Sequence, residues 1–273
     1  MFEPNYYITN KIINDEKIYF GLALTPEEII NRLIIVTNRY MQESYLENTS
    51  FIKLNMKAED VIADNGLSLV LDHLSSDLIN IFIKNGLLIE FNEGIKLYLD
   101  KYQWQSEQFV AKNKTGYVGS LRLILYDHFS NEKPFLLPTF TNNQSVLFPE
   151  WKERAGNVKA ELSQFAKVKG PQASTGVSIG LLRTAYQLSK KYGIDEWIAT
   201  IDNKIIKLLS SYVFCIDINK IGPPIEYLGS LSTPVLININ ETLKNMEDKR
   251  SNKLLADFLR GQTVEGFEWY VGP

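Results

Sequence analysis

Cysteine and histidine are nearly missing from this chain. Its 273 residues include one cysteine, Cys215, and two histidines, His73 and His128. A single thiol excludes an internal disulfide and a cysteine-rich metal site. Two histidines far apart in sequence cannot supply a ligand set alone, so no metal is expected. They also make a Ser-His-Asp triad an unpromising search. A basic excess is missing too: 29 Lys and Arg stand against 32 Asp and Glu, for a formal net charge of −3. A general nucleic-acid binder would carry a basic stripe. No nucleic-acid partner is therefore expected, although a small local basic patch stays open. No apolar run approaches the ~18 residues that span a bilayer. The N-terminal stretch MFEPNYYITNKIIND has no basic segment followed by an apolar one, so no signal peptide is expected. These absences together lead to the expectation of a soluble, cytoplasmic protein without a membrane span.

What is present is enough for a substantial core, with 45% hydrophobic and 22% charged residues, ordinary values for a globular chain. Lys17 to Leu24 reads as a strand. Thr25-Pro26-Glu27-Glu28 is a helix start, with Thr25 as cap, Pro26 at the first helical position and Glu28 completing a capping box. The helix is expected to run to about Tyr45, its apolar face supplied by Ile29, Ile30, Leu33, Ile34, Val36, Tyr40 and Met41. Ser68 to Lys84 reads as one helix ended by Gly86. Leu87 to Phe91 and Ile95 to Leu99 read as short strands around Asn92-Glu93-Gly94. Ser106 to Lys112 and Tyr117 to Tyr126 form a hairpin over the turn Asn113 to Gly116.

After a polar loop containing Pro134, Pro138 and Pro149, Val158 to Val168 reads as a strand. A Gly/Ser-rich loop, Lys169 to Gly180, leads into a helix from Leu181 to Tyr192, ended by Gly193. Glu196 to Ile201 is a strand, and Asn203 to Tyr212 a short helix that Asp202 can cap. Phe214 to Asn219 and Val235 to Ile239 are strands, and Glu241 to Arg260 a charged helix. Mixed order of this kind implies an α/β or α+β sheet of about six or seven strands with helices on both faces.

The hairpin, the strand ELSQFAKV, the loop into helix LLRTAYQLSKKYG and the strand EWIAT resemble, in order, the GNAT acyltransferase fold. Gly119-Ser120-Leu121-Arg122-Leu123 is similar to the G-x-x-R-L segment of acyl-homoserine-lactone (autoinducer) synthases. Glu161-Leu162-Ser163-Gln164-Phe165-Ala166 resembles their E-x-S-R-F strand. Asp100-Lys101-Tyr102-Gln103 resembles their D-x-Y-D element. The segment Ile221 to Gly229, IGPPIEYLG, looks like one that follows the last helix of long-chain N-acyl amino acid synthases. The resemblance runs from about Lys17 to Ile239. It implies one GNAT-like N-acyltransferase domain over residues 1–273: a core of about 17–239, an insertion of about 48–102 after the first helix, and a C-terminal helical extension of about 241–260.

The resemblance also implies a reaction. A medium- or long-chain acyl group moves from a phosphopantetheine thioester, on acyl-carrier protein or coenzyme A, to the amine of an amino acid or similar small amine. No cofactor is permanently bound. The alternatives are a short-chain acyl-CoA-dependent GNAT acetyltransferase and a non-catalytic acyl-binding relative. The catalytic candidates are Glu161, a base whose pKa burial on a central strand would raise, and Arg122, which would hold that carboxylate or the acceptor's own. Asp100 and Ser163 are candidate acceptor contacts. Phe165, Ala166, Val168, Ser174, Thr175, Gly176 and Gly180 are candidates for the acyl-donor arm, where the loop meets a helix N-terminus suited to phosphate. That loop lacks the R-x-x-G-x-G/A signature of acetyl-CoA enzymes. Lys167, Lys169 and Arg183 form the candidate basic surface for an acidic carrier protein. Trp197, Tyr212 and Phe214 are read as core. Gln164 stands where the family carries Arg, and Gln103 where the lactone synthases carry a second Asp, so S-adenosylmethionine is not the expected acceptor.

Overall fold

The computed structural model describes residues 17–63, 66–126, 137–143, 146–154, 159–170, 175–210, 214–248 and 252–273. Strand β1, Ile18–Leu22, leads into helix α1, Pro26–Gln42. The expected capping box is complete. Thr25 Oγ1 accepts the Glu28 N–H at 3.2 Å, and the Glu28 carboxylate accepts the Thr25 N–H at 3.1 Å, which satisfies two otherwise orphaned donors. Next come β2, Phe51–Lys53, then α2, Ala58–Ile62, and α3, Gly66–Asp72. Helix α4, Ser76–Asn85, is followed by β3, Leu87–Glu90, and β4, Lys96–Leu99. The helix expected over 68–84 is thus two helices. Ser75 breaks it, its hydroxyl accepting the Leu78 N–H at 3.4 Å as a new N-cap. His73 lies exposed at the break, its Nδ1 2.9 Å from the Leu69 carbonyl oxygen. His128 lies outside the described residues.

A 3-10 turn, Lys101–Trp104, precedes the hairpin of β5, Ser106–Asn113, and β6, Gly116–Leu125. The segment expected as a polar loop contains two short helices, α5, Pro138–Asn143, and α6, Pro149–Lys152. Then follow β7, Ala160–Lys167, α7, Thr175–Lys191, β8, Glu196–Asp202, and α8, Asn203–Leu209. The remaining elements are β9, Ile218–Lys220, β10, Ile225–Tyr227, β11, Ser230–Asn238, α9, Ile239–Asp248, α10, Lys253–Leu259, and β12, Tyr270–Val271. Three expected boundaries change here. Helix α7 begins six residues before Leu181, β11 ends before Ile239, and the C-terminal helix of 241–260 is read as α9 and α10.

Among the described residues the main sheet has nine strands in the order β10-β11-β8-β7-β6-β5-β1-β12, with β9 also on β11, and β2-β3-β4 make a second sheet. Strand β12 adds in parallel to the outer side of β1. The alternation of β6 sorts its side chains between two layers. Leu121 and Leu123 join α7 in the main core, while Ile124 packs with Tyr102, Leu137 and Phe140 on the other side. Helix α1 packs on that second face, against β6 and β7. Gly180 and Gly119 let α7 approach closely: a Cβ at Gly180 would overlap the Phe20 ring, and one at Gly119 would overlap Val177.

Candidate active site

The two central parallel strands touch at one point. β7 and β8 pair only through Glu161 and Ile198, and β7 keeps its other edge on β6. Along β7 the register with β6 slips between Ser120/Ala166 and Arg122/Ser163, and Gln164 takes a left-handed φ of 49°. This is a β-bulge, which bends the strand and leaves an extra residue out of the ladder. The sheet therefore opens between β7 and β8 beyond Glu161, beside the bulge at Gln164.

Beside the opening, on the α1 face of the sheet, four of the candidate residues meet. Arg122 holds Asp100 in a two-point pair, Nη1 to Oδ1 at 2.7 Å and Nη2 to Oδ2 at 2.8 Å. Its Nε donates to Ser163 Oγ at 2.8 Å. Asp100 is positioned as the N-cap of the 3-10 turn, its Oδ1 accepting the Tyr102 N–H at 3.0 Å. Burial pulls the Arg122 guanidinium down, but the charge and hydrogen bonds of Asp100 outweigh it, leaving Arg122 above its ordinary value. Of the two partners expected for Arg122, Glu161 is not the one it bonds: its partner in the folded chain is Asp100, brought in by the 3-10 turn.

Glu161, two residues before Ser163, is buried. Its Oε2 accepts the Thr139 N–H at 2.8 Å and its Oε1 the Thr139 hydroxyl at 3.0 Å, which in turn lies 2.9 Å from Thr200 Oγ1. Burial pushes this carboxyl up to about 8, against the pull of the Thr139 hydrogen bonds and the Arg122 charge. Four phenols feel the charges of the cluster. Burial raises Tyr40 to about 12 and raises Tyr98, Tyr102 and Tyr227 as well, with Asp100 acting in the same direction.

The candidate donor residues are less concentrated. Phe165 is 38% exposed, whereas Ala166 packs under α1 against Ile35 and Val36. Val168 donates its N–H to the Val118 carbonyl at 3.1 Å. Ser174 lies outside the described residues; Thr175 and Gly176 open α7. Gly180 is corrected from the loop to the second turn of α7, beyond the four free N–H groups of a helix start, and its small size serves the contact with Phe20. Trp197 and Phe214 lie in the main core, while Tyr212 lies outside the described residues. Arg183 is corrected as a surface cation: it donates to the carbonyls of Pro273, Gln262 and Gly261 and stacks on Phe258 and Tyr270. Lys167 and Lys169 do share a groove of about 500 Å³ with Arg39, between α1 and the end of β7.

Sequence reasoning missed Thr139, Thr200 and Arg32. Arg32 has a signal in the sequence: it is a charge inside the buried stripe of α1, next to Leu33 and one turn from Val36. No group of three or more His, Cys, Asp or Glu side chains that could hold a metal occurs among the described residues.

No family model matches the chain, and no curated protein matches its sequence. Its fold is similar to that of FeeM, an N-acyl amino acid synthase from uncultured soil microbes, with a TM-score of 0.50 at 15% identity, over 89% of this chain and 98% of that one. Lower scores relate it to TofI in a ternary complex with an inhibitor and MTA (0.45, 16% identity, 84% and 95% covered) and to the AHL synthase LasI (0.44, 12%, 82% and 90%). The chain shares the fold of FeeM, a mixed sheet flanked by helices.

Proposed function

We propose that this protein is an N-acyltransferase, moving a medium- or long-chain acyl group from a phosphopantetheine thioester to the amine of an amino acid or similar small amine. The observation that carries the reading is the opened, bulged edge of β7 beside β8, with Glu161 and the Arg122–Asp100–Ser163 cluster next to it. A thioester laid in that opening would put its carbonyl at the bulge. There a backbone N–H aimed at the oxygen that gathers negative charge would stabilise it, an interaction commonly worth ~3 kcal/mol per donor. The amine nitrogen adds to the carbonyl carbon, the C–N bond forms, the C–S bond breaks, and the thiol leaves. The ammonium proton goes to Glu161, directly or through a water. With a pKa of about 8 this carboxyl is mostly protonated at pH 7, so it is the ionised minority that takes the proton, a share that grows as pH rises toward 8.

The donor is acyl-carrier protein or coenzyme A. The groove of Arg39, Lys167 and Lys169 supports an acidic carrier: Glu43 pairs with Arg39 and Lys169, yet three cations against one carboxylate leave a locally basic surface that would steer an acidic partner. This reading places the enzyme in the cytoplasm with its thioester co-substrate. Among the described residues no helix is long and apolar enough to cross a membrane. Mass spectrometry of lipids from cells overproducing the protein tests the proposal. A new N-acyl amino acid is expected, absent with Glu161→Gln; a lipid profile identical to that of control cells would count against it.

A further inference from the structure

Among the described residues, no carboxylate bonds the charge of Arg32. It is fully buried on the inner side of α1. Its Nη1 donates to Gln108 Oε1 at 3.0 Å and to Gln103 Oε1 at 3.4 Å, and its Nη2 donates to Gln164 Oε1. All three acceptors are neutral amides. Its Nε has no hydrogen-bond partner, and neither has the Nε2 of Gln164, itself buried. Gln164 is the left-handed residue of the bulge and follows Ser163, which bonds Arg122. Arg32 therefore belongs to the same polar interior as the Arg122–Asp100 pair.

The charges on this face do not balance. Both oxygens of Asp100 are taken by Arg122. Glu161, pushed up to about 8, is mostly uncharged at neutral pH. Among the described residues, two guanidiniums thus face one charged carboxylate. Burial and the repulsion of Arg122 pull Arg32 down to about 9, which still leaves it a cation at pH 7. Holding an unneutralised charge away from water costs a fold stability. A leucine or methionine at this place in the buried stripe of α1 would carry no such penalty, so the charge needs a reason outside the folded chain. An anion arriving with the substrate is such a reason. It would receive both the field of Arg32 and the open hydrogen-bond donors, Arg32 Nε and Gln164 Nε2.

We infer that Arg32 is a specificity-determining residue of the acceptor site, its charge favouring an amine that also bears a carboxylate over the same amine without one. This rests on the acyltransferase reading, since it names which amines the site takes. The binding itself can be read without turnover.

The test uses the whole protein and two probe mixtures, the amino acids glycine, alanine, leucine, phenylalanine and serine and their α-carboxamides. Thermal unfolding of the protein with each mixture reads binding, and thiol release from decanoyl-coenzyme A reads transfer. The wild-type protein is expected to be stabilised by the acids and not by the amides. It should also transfer to the acids with a KM lower by ~10- to 100-fold, the scale of one charge-assisted contact. Arg32→Gln is expected to lose this preference by raising KM for the acids while kcat changes little, and Arg32→Lys to retain most of it. Without ligand, Arg32→Gln should unfold at the same or a higher temperature, because an unneutralised buried charge has been removed. A merely structural arginine would show the reverse. If Arg32→Gln does not fold, Arg32→Met, which fills similar space without charge, replaces it. Binding of the acids that depends on Arg32 but brings no transfer would uphold the inference and sink the acyltransferase reading. Equal response to acids and amides, no response to either, or a preference kept in Arg32→Gln would overturn the inference.

Discussion

Replacing Glu161 by Gln separates the cost of this carboxyl from its use. In the folded protein its pKa is about 8, against 4.5 as the ordinary value, mainly through burial. Between those two values the folded state holds a proton that the unfolded chain has released. Stability therefore falls as pH rises through this window. The contribution is fully present below about pH 4.5 and is lost as pH climbs past about 8. A shift of this size corresponds to ~5 kcal/mol at most, taking ~1.4 kcal/mol per pH unit. Glutamine cannot ionise, and its amide oxygen can still accept the Thr139 N–H that Glu161 accepts at 2.8 Å. Urea unfolding followed by circular dichroism at pH 5, 7 and 9 reads the difference. Glu161→Gln is expected to be no more stable than wild type at pH 5 and more stable by a few kcal/mol at pH 9, while turnover at pH 7 falls by ~100-fold or more. Activity should partly return at high pH, where free amine is plentiful. A stability difference between the two proteins that is the same at all three pH values would refute the raised pKa. Unchanged turnover at pH 7 would remove Glu161 from the mechanism.

Three further outcomes follow from named contacts. Asp100→Ala strands the buried Arg122 guanidinium and should destabilise by ~3–5 kcal/mol, whereas Asp100→Leu with Arg122→Met should cost less than the two single changes summed, in a chemical-denaturation cycle. Gly180→Ala puts a methyl into the Phe20 ring and should cost ~1–3 kcal/mol, with Phe20→Leu recovering part of it in thermal unfolding. Lys167→Glu with Lys169→Glu should raise KM for an acyl-carrier-protein donor and flatten its salt dependence, leaving a free acyl-pantetheine donor much less affected; equal loss with both donors would move the carrier-protein surface elsewhere.

Local signals were the ones the sequence made readable. Thr25 and Glu28 cap α1 as the motif demands, and the turn Asn113 to Gly116 joins the two strands it separates. The resemblance to the acyltransferase strands points to Arg122, Glu161 and Ser163, and these three do share one face of the sheet. What escaped depended on distant partners. Strand β12 is two residues long and exists by pairing with β1, some 250 positions away. Thr139 sits in a proline-bearing stretch with no periodicity, and its role comes from the buried Glu161 it meets. The start of α7 was set too late because Gly176 and Gly180 read as loop residues, when Gly180 is the space that Phe20 fills. The Arg122–Asp100 pair is not legible because the 3-10 turn that delivers Asp100 cannot be read from residue spacing.

The most direct test of acyl transfer is a paired assay on the purified protein. Long-chain acyl thioesters on carrier protein and on coenzyme A are supplied with mixed amino acids, while free thiol and N-acyl product are measured together. Thiol release that depends on the amine, matches the product mole for mole and is nearly abolished in Glu161→Gln is the expected result. Thiol release without an N-acyl product, or no amine-dependent release from either donor, would contradict the assignment.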